Sequence, residues 1–467
     1  MEVRVRIAPS PTGEDLHVGN VYTGLINFAY ARKNKGKFVI RIEDTDRTRL
    51  VEGSEAKILQ SLKNFNLNYD EGPDIGGPFA PYRQSERLEV YKKYADELIN
   101  KDAAYTCFCP PEKLEKLKLE SKGQFKRHQE ICDSPKSDKF VIRLKVPDNR
   151  GITFDDLIRG KITINTDQID DQILIKSDGF PTYHMAVVVD DHLMEISHVI
   201  RADEWISSTP KHVLLYEAFG WQMPIHAHVP LLRNTDKSKL SKRSNPVWVS
   251  WYLEQGYLPE AMLNFLALMG WSHPEGKEIF TMDEFIQKFD LVDLKPVGPV
   301  FDLTKLEWIN GEYIRQMSDT ELEKRLDEYL VDHPAKGKLS KLIPLIKDRI
   351  KKLSDFIPLT FFFFENPEYD LEVFKKLKIE NLSDSLAKVI ETLEKLKKPW
   401  NTQDFETSFR KLAEDLNISV TSCFQLIRVA ISGQPVTPPL FESIQILGED
   451  EAIKRVKEAL KLLQAAP

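Results

Sequence analysis

Hydrophobic and polar positions alternate at the amino terminus. Over residues 2–8, Val3, Val5 and Ile7 fall opposite Arg4 and Arg6, which is the period of a strand. After a Pro/Gly loop the period lengthens. Val18, Val21, Leu25, Ile26, Phe28 and Ala29 follow helical spacing, and Asn34-Lys35-Gly36 ends the run. Lys37–Ile42 reads as a second strand. Strand, loop, helix and strand make a βαβ unit, which predicts a parallel sheet with its ligand at the strand carboxyl ends. The same order returns later. Glu195–Arg201 reads as a strand, Thr209 and Pro210 as the N-cap and first turn of a helix stopping at Gly220, and Ile225–Leu232 as the next strand.

Residues 105–185 break this grammar with cysteines, charged helical stretches and strand-like pieces, as an insertion into the sheet would. Beyond residue 320 amphipathic helical patterns dominate. They predict an all-helical half made of two bundles meeting near 370–385, with Phe361 to Phe364 as a core block.

Composition adds limits. A chain of 467 residues should hold several domains of roughly 100–150 residues each. The net charge of −7 does not advertise nucleic-acid binding, but phosphate contacts need only a local basic surface. One such stripe exists: residues 336–352 carry seven Lys/Arg and one Asp, a phosphate-facing surface or simply a solvated helix face. No signal peptide and no run of about 20 apolar residues is visible. Only four cysteines occur, three of them crowded together, which argues against a disulfide framework and for the cytoplasm.

Two segments far apart carry the chemistry. In Pro9-Ser10-Pro11-Thr12-Gly13 the prolines stiffen a loop, and His17 then stands at a helix entrance with Gly19 and Asn20 behind it. Helix amides with an imidazole donor suit a triphosphate, while a plain turn with a capping histidine is the structural alternative. Lys239-Leu240-Ser241-Lys242-Arg243 is a basic loop after a strand, able to clamp phosphates or to be a solvated charge run. Walker A and G-x-G-x-x-G patterns are absent.

His17-Val18-Gly19-Asn20 resembles the HIGH signature of class I aminoacyl-tRNA synthetases, and Lys239–Arg243 resembles their KMSKS signature. The segments Arg6–Gly13, Arg41–Asp46, Tyr82–Ser85, Pro181–His184, Val189–His192 and Ile200–Trp205 are similar to the bacterial-type glutamyl-tRNA synthetase family, as are Gly433–Pro435 and Pro439–Glu442. The resemblance spans nearly the whole chain. It implies an α/β fold: a class I synthetase Rossmann-type parallel sheet with an inserted acceptor-binding domain, then all-α anticodon-binding domains. The implied segments are 1–104 and 186–250 for the two catalytic halves, 105–185 for the insertion, 251–320 for a stem-contact domain, and 321–378 and 379–467 for two helical domains.

The resemblance implies glutamate binding by Arg6, Ala8, Ser10, Glu43, Tyr183 and Arg201. It implies ATP binding by Thr12, His17, Gly19, Asn20, Glu204, Trp205, Leu232, Lys239, Ser241, Lys242 and Arg243, with His17 and Lys242 catalytic and Mg²⁺ on the phosphates. Arginine suits a carboxylate because its fork binds bidentately. The implied reaction joins L-glutamate to tRNA(Glu) at the expense of ATP, in a monomer. Whether tRNA(Gln) is also charged stays open. Cys107, Cys109, His128 and Cys132, with a helix expected over 113–122, offer the four ligands of a structural Zn²⁺, or are three free cysteines and a surface histidine. Cys423 reads as core. Trp400, Phe405 and Arg428 could meet unstacked anticodon bases. A glutamyl-queuosine enzyme would be shorter, a glutaminyl enzyme would end in β-barrels, a coenzyme nucleotidyltransferase would lack the helical tail, and a zinc-containing RNA-binding protein would need none of Arg6, Glu43 and Arg201.

Overall fold

The alternating amino terminus forms β1 (Arg4–Ile7), and all four residues are buried, arginines included. The computed structural model describes residues 2–110, 112, 113, 115, 116, 128, 132, 134–240 and 246–465. The helical pattern forms α1 (Val18–Lys33), which buries Val18, Val21, Leu25, Ile26, Phe28 and Ala29 as its spacing requires. β2 (Lys37–Ile40) lies parallel to β1, with Arg4 opposite Lys37 and Ile7 opposite Ile40. The turn between α1 and β2 passes so close to β1 that a Cβ on Gly36 would sit 2.1 Å from the Val3 carbonyl. Only glycine permits that approach.

Next come β3 (Ala104–Cys107), β4 (Val141–Leu144), β5 (Gly151–Asp156), β6 (Gly160–Asn165) and β7 (Ile173–Ile175). β3, β4 and β7 form an antiparallel sheet of their own. The β5–β6 hairpin instead continues another sheet, in the order β6-β5-β9-β8. There β8 (His198–Ala202) and β9 (Ile225–Val229) are parallel, with Arg201 opposite His228. β5 joins β9 at Asp156 and His226. Ser197, just before β8, donates its N–H to the Arg4 carbonyl at 2.9 Å. The two βαβ halves therefore meet at β1 and β8.

Several element boundaries differ from expectation, among them β2, which ends at Ile40 and not at Ile42. β8 begins at His198 because Glu195 turns through φ 54 and Ser197 bonds to β1. β9 stops before Pro230, which has no N–H to donate. The helix Thr209–Phe219 is capped by Ser208, so Thr209 lies inside it and its hydroxyl serves Arg201 instead.

Contacts divide the chain into two units. One holds residues 1–254 and 258–309, the other 255–257 and 310–467. Within the first, the helices Pro259–Ala267 and Met282–Lys288 pack on α1, where Tyr22 donates to the Met269 carbonyl at 2.6 Å. The second has no strand among its described residues, unlike the β-barrel ending of a glutaminyl enzyme. Its helices from Leu371 to Ala465 enclose one core around Phe374, Leu386, Phe409, Leu426 and Val456, with Cys423 fully buried. In the aromatic run Phe362 and Phe363 are buried, and Phe361 and Phe364 half-buried. In the 336–352 stripe Leu339, Leu342, Ile343 and Ile346 face the interior. Lys338, Lys341 and Arg349 are exposed, and Lys347 pairs with Asp319 at 3.0 Å. No helix among the described residues is long and apolar enough to cross a membrane.

Candidate active site

A cavity of about 260 Å³ opens at the carboxyl ends of β1 and β8. From the expected glutamate set it gathers Arg6, Ala8, Glu43, Tyr183 and Arg201. From the expected ATP set it gathers His17, Gly19, Asn20, Glu204, Trp205, Leu232 and Lys239. Ser10 and Thr12 belong to the loop after β1 but are not among the cavity's lining residues. Ser10 is exposed. Ser241, Lys242 and Arg243 lie outside the described residues.

The two arginines expected to meet the substrate differ in their electrostatics. Arg6 gives Nε and Nη2 to the Asp191 carboxylate, both at 3.0 Å. Asp191 also takes Arg41 Nη1 at 2.7 Å. Burial alone would raise Asp191, but Arg6 and Arg41 bring it down to about 2. Behind them Asp190 accepts from Arg87 Nε at 2.7 Å and from Tyr91 at 2.8 Å. Arg201 is equally buried, yet among the described residues no carboxylate pairs with it. Its Nε meets His228 Nε2 at 3.1 Å, its Nη1 meets the Tyr183 hydroxyl at 3.0 Å and His212 Nδ1 at 3.3 Å, and its Nη2 meets Thr209 Oγ1 at 2.9 Å. Burial, then Arg201, holds His212 well below the ordinary histidine value, so it stays neutral. Arg4 and Arg6 are not charges on an exposed strand edge. Both are buried, and Arg4 is clamped bidentately by Glu71 at 2.7 and 3.0 Å.

Glu43 stands in the same cavity, 3.5 Å from Arg41 Nη2, and its Oε1 has no hydrogen bond. Burial pushes its carboxyl up to about 7, with Arg41 and Arg6 only partly opposing. A group so poised is stabilised as a carboxylate by an incoming cation. Of the four arginines around the site, Arg6, Arg41 and Arg87 each meet a carboxylate, and Arg201 alone does not meet one directly among the described residues.

On the nucleotide side His17 is the N-cap of α1, its Nδ1 accepting from the Gly19 N–H at 2.9 Å. Capping and ligand binding are therefore compatible. With Nδ1 an acceptor, the neutral ring carries its proton on Nε2, as a donor. Residues 247–249 pair with this corner: Val18 N bonds to the Val247 carbonyl at 2.8 Å and Val249 N to the Leu16 carbonyl at 3.1 Å. The segment just after the Lys239–Arg243 loop is thereby tied to the His17 loop. Lys239 Nζ pairs with Glu204.

In the insertion, ligand atoms of Cys107, Cys109, His128 and Cys132 all lie within 4.8 Å of one another. Cys109 and Cys132 Sγ are 3.6 Å apart. Tetrahedral arms of about 2.3 Å demand an S–S edge near 3.8 Å, so the set fits zinc. Burial, with Arg143 and Lys113 nearby, pushes His128 down to about 4, leaving the neutral ring that ligates metals. His128 is buried, not on the surface. Of the helix expected over 113–122, residues 114 and 117–122 lie outside the described residues.

In the second unit Trp400 and Phe405 are buried in the helical core, and Phe405 also lines the cavity around Arg428. Arg428 lines a cavity of about 600 Å³ with Arg349, Phe424 and Gln425. Burial and the neighbouring Arg349 depress its guanidinium.

Sequence reading missed the second layer of the first site. Asp190 and Asp191 belong to a quoted motif but had no role. Arg41, Thr209 and His212 carry no spacing signal, and His228 is one of several histidines on a buried strand.

The family model for tRNA synthetases class I (E and Q), catalytic domain, matches residues 2–308, and that for an anticodon binding domain matches residues 321–460. The glutamate–tRNA ligase of Acidothermus cellulolyticus is 45% identical over 491 residues, covering 100% of this chain and 97% of that one. That of Thermus thermophilus is 44% identical over 469 residues, covering 98% and 100%. A solved glutamate tRNA ligase from Elizabethkingia meningosepticum, in complex with its amino acid, superposes with a TM-score of 0.84 at 35% identity, covering 99% of this chain and 100% of that one. This chain belongs to the glutamate–tRNA ligases among the class I tRNA synthetases.

Proposed function

We propose that the cavity between β1 and β8 activates L-glutamate with ATP and passes it to the 3′ end of tRNA(Glu), releasing AMP and pyrophosphate. The observation that carries the substrate choice is the buried Arg201 guanidinium, against which no carboxylate among the described residues is directly placed. Glutamate brings a second carboxylate to such a site, whereas glutamine brings a neutral amide. Arg201 and Arg6 receive the two carboxylates, Glu43 takes the ammonium, and Tyr183 adds a hydroxyl. Ala8 and Ser10 complete the glutamate set.

The glutamate α-carboxylate attacks the α-phosphorus of ATP, forming the acyl–phosphate bond as the bond to pyrophosphate breaks. His17, the α1 amino terminus and Lys242 stabilise the charge that develops. Glu204, Trp205 and Leu232 hold adenosine, while Thr12, Gly19, Asn20, Lys239, Ser241 and Arg243 line the phosphate path. Mg²⁺ enters with the phosphates and neutralises part of their charge. In the second step the terminal ribose 2′-hydroxyl of tRNA attacks the mixed anhydride and AMP leaves. No side-chain nucleophile is required.

The 105–185 insertion meets the acceptor end, with zinc held by Cys107, Cys109, His128 and Cys132 stabilising its fold. The helical segments 321–378 and 379–467 receive the anticodon. Arg349 and Arg428, lining one cavity of about 600 Å³ with Phe424, support it as a base-receiving site. The four thiols are free of disulfides, in keeping with a cytoplasmic monomer.

Pyrophosphate exchange tests the activity. Glutamate should support exchange only when tRNA is present, and exchange without tRNA or with cytidine triphosphate contradicts the proposal. Charging purified glutamate and glutamine tRNAs separately decides whether tRNA(Gln) is also a substrate.

A further inference from the structure

Arg201 poses a physical problem. Its guanidinium must be held in one orientation within a buried site, yet stay electrically uncompensated so that a carboxylate can enter. A carboxylate placed directly on it, as Asp191 is on Arg6, would fix it and also cancel its charge. The molecule places a neutral imidazole there instead, with a carboxylate behind it.

The chain of contacts is short and buried. β8 and β9 are in register so that Arg201 lies opposite His228. Arg201 Nε donates to His228 Nε2 at 3.1 Å. His228 Nδ1 lies 2.7 Å from Asp156 Oδ2. The side chains of His228 and Asp156 are 0% exposed. Asp156 is brought in by the β5–β6 hairpin, where β5 joins β9. Because the carboxylate only accepts, Nδ1 must carry the ring proton and Nε2 must be the bare acceptor that Arg201 needs. Burial, opposed by Asp156, keeps His228 below the ordinary histidine value and so neutral.

We infer that Asp156 and His228 are positioning residues for the substrate arginine: Asp156 sets the His228 tautomer, and His228 orients Arg201 without neutralising it. The inference rests on Arg201 being a glutamate carboxylate receptor.

Asp156→Asn isolates the tautomer from the packing. Asp156 Oδ1 accepts from the Ile158 and Arg159 N–H groups, each at 3.0 Å, and Oδ2 accepts from His228 N and Nδ1. An amide nitrogen at the Oδ1 position would face two backbone donors that cannot change. At the Oδ2 position it faces one, and His228 can answer by moving its proton to Nε2. That second arrangement sets Nε2–H against Arg201 Nε–H.

The test is steady-state kinetics with tRNA present, together with ¹⁵N spectra of the His228 ring. In Asp156→Asn the KM for glutamate should rise about 10- to 100-fold, the scale of one hydrogen bond to a charged group. The KM for ATP should stay within about twofold of wild type on the same reasoning. The His228 ring should change from the Nδ1–H to the Nε2–H tautomer. His228→Gln, whose Oε1 can replace Nε2 as acceptor, should keep a lower glutamate KM than His228→Ala. Arg201→Gln separates this inference from the reading beneath it. A raised glutamate KM in Arg201→Gln with a wild-type KM in Asp156→Asn overturns the relay alone. An unchanged KM in Arg201→Gln overturns the role of Arg201, and the relay falls with it. If Asp156→Asn does not fold, equal glutamate KM values for His228→Gln and His228→Ala overturn the relay.

Discussion

Arg6 and Asp191 meet through two parallel contacts, Nε to Oδ1 and Nη2 to Oδ2, both at 3.0 Å and both side chains 4% exposed. Asp191 also bonds to Arg41, so one carboxylate sits between two buried guanidiniums. Removing it takes the carboxylate from Arg6 and leaves Arg41 with only the longer contacts to Glu43 at 3.5 Å and Asp190 at 3.6 Å. Asp191→Ala should destabilise the catalytic unit by about 3–5 kcal/mol, the usual result of stripping one partner from a buried pair. Denaturant unfolding followed through a catalytic-unit probe measures this. Its acid limb gives a second readout. The folded value near 2 lies below the ordinary 3.8, so Asp191 contributes its stability fully above 3.8 and loses it as pH falls towards 2. The variant should lack that portion of the acid dependence.

Glu43 predicts a pH dependence of opposite character. Its carboxyl, raised to about 7 by burial, binds a proton in the unliganded protein below that pH. The glutamate ammonium requires the carboxylate. Affinity should be full above pH 7 and weaken towards about tenfold per unit below it, as one proton is released on binding. The KM for glutamate between pH 6 and 8 checks the slope. Glu43→Gln should raise the KM and flatten the profile. A variant that keeps the slope would assign it to another group.

Lys242 tests the motif that closes the phosphate side. Lys242→Ala should lower adenylate formation by roughly 10²-fold or more, the effect of losing one preorganised donor to transition-state charge. Near-wild-type activation in single-turnover assays would remove it from the chemistry.

What could be read from the sequence was local. Alternation gave β1, helical spacing gave α1, and the residues that the structure gathers in one cavity stood in short motifs: Arg6, Glu43, Tyr183 and Arg201. The parts that were not legible depend on pairing across the fold. Asp156 lies in a hairpin within the expected insertion and reaches His228 only because β5 hydrogen-bonds to β9. Nothing near Asp156 in sequence encodes that register. Asp191 and Arg41 are likewise partners across 150 positions. Thr209 had the right chemistry for an N-cap, yet the helix starts one residue earlier and its hydroxyl goes to Arg201.

The cysteine cluster gives a prediction independent of catalysis. Protein purified without chelator should contain about one zinc per chain, bound by four ligands as in closed structural sites. Cys132→Ser should lose the metal and lower the thermal midpoint of the insertion, because binding energy at such a site is folding energy. Metal analysis by mass spectrometry decides the first point, and metal-free protein with an unchanged melting curve refutes the second.

Gly13 and Trp248 join the two halves of the nucleotide site. A Cβ on Gly13 would lie 2.4 Å from Trp248 Cη2, inside any permitted contact, so even alanine must push the indole aside. That indole is also the edge-on neighbour of His17, with ring centroids 6.2 Å apart at 84°, and Trp248 is bridged to His17 through the backbone. Displacing it disturbs the imidazole and the Val247–Val249 strap together. The strap lies a few residues after Lys239–Arg243 in the chain, the other segment proposed to face the phosphates. Gly13→Ala should therefore lower adenylate formation on the order of 10²-fold, the scale of a misplacement near 1 Å in a reacting geometry. The KM for glutamate should change little, because neither Gly13 nor Trp248 is among the residues that line the cavity holding Arg6, Glu43 and Arg201. Pairing Gly13→Ala with Trp248→Leu, which opens the space, should recover part of the rate. If the double variant is no faster than Gly13→Ala alone, the clash is not the cause and the loop's own conformation is.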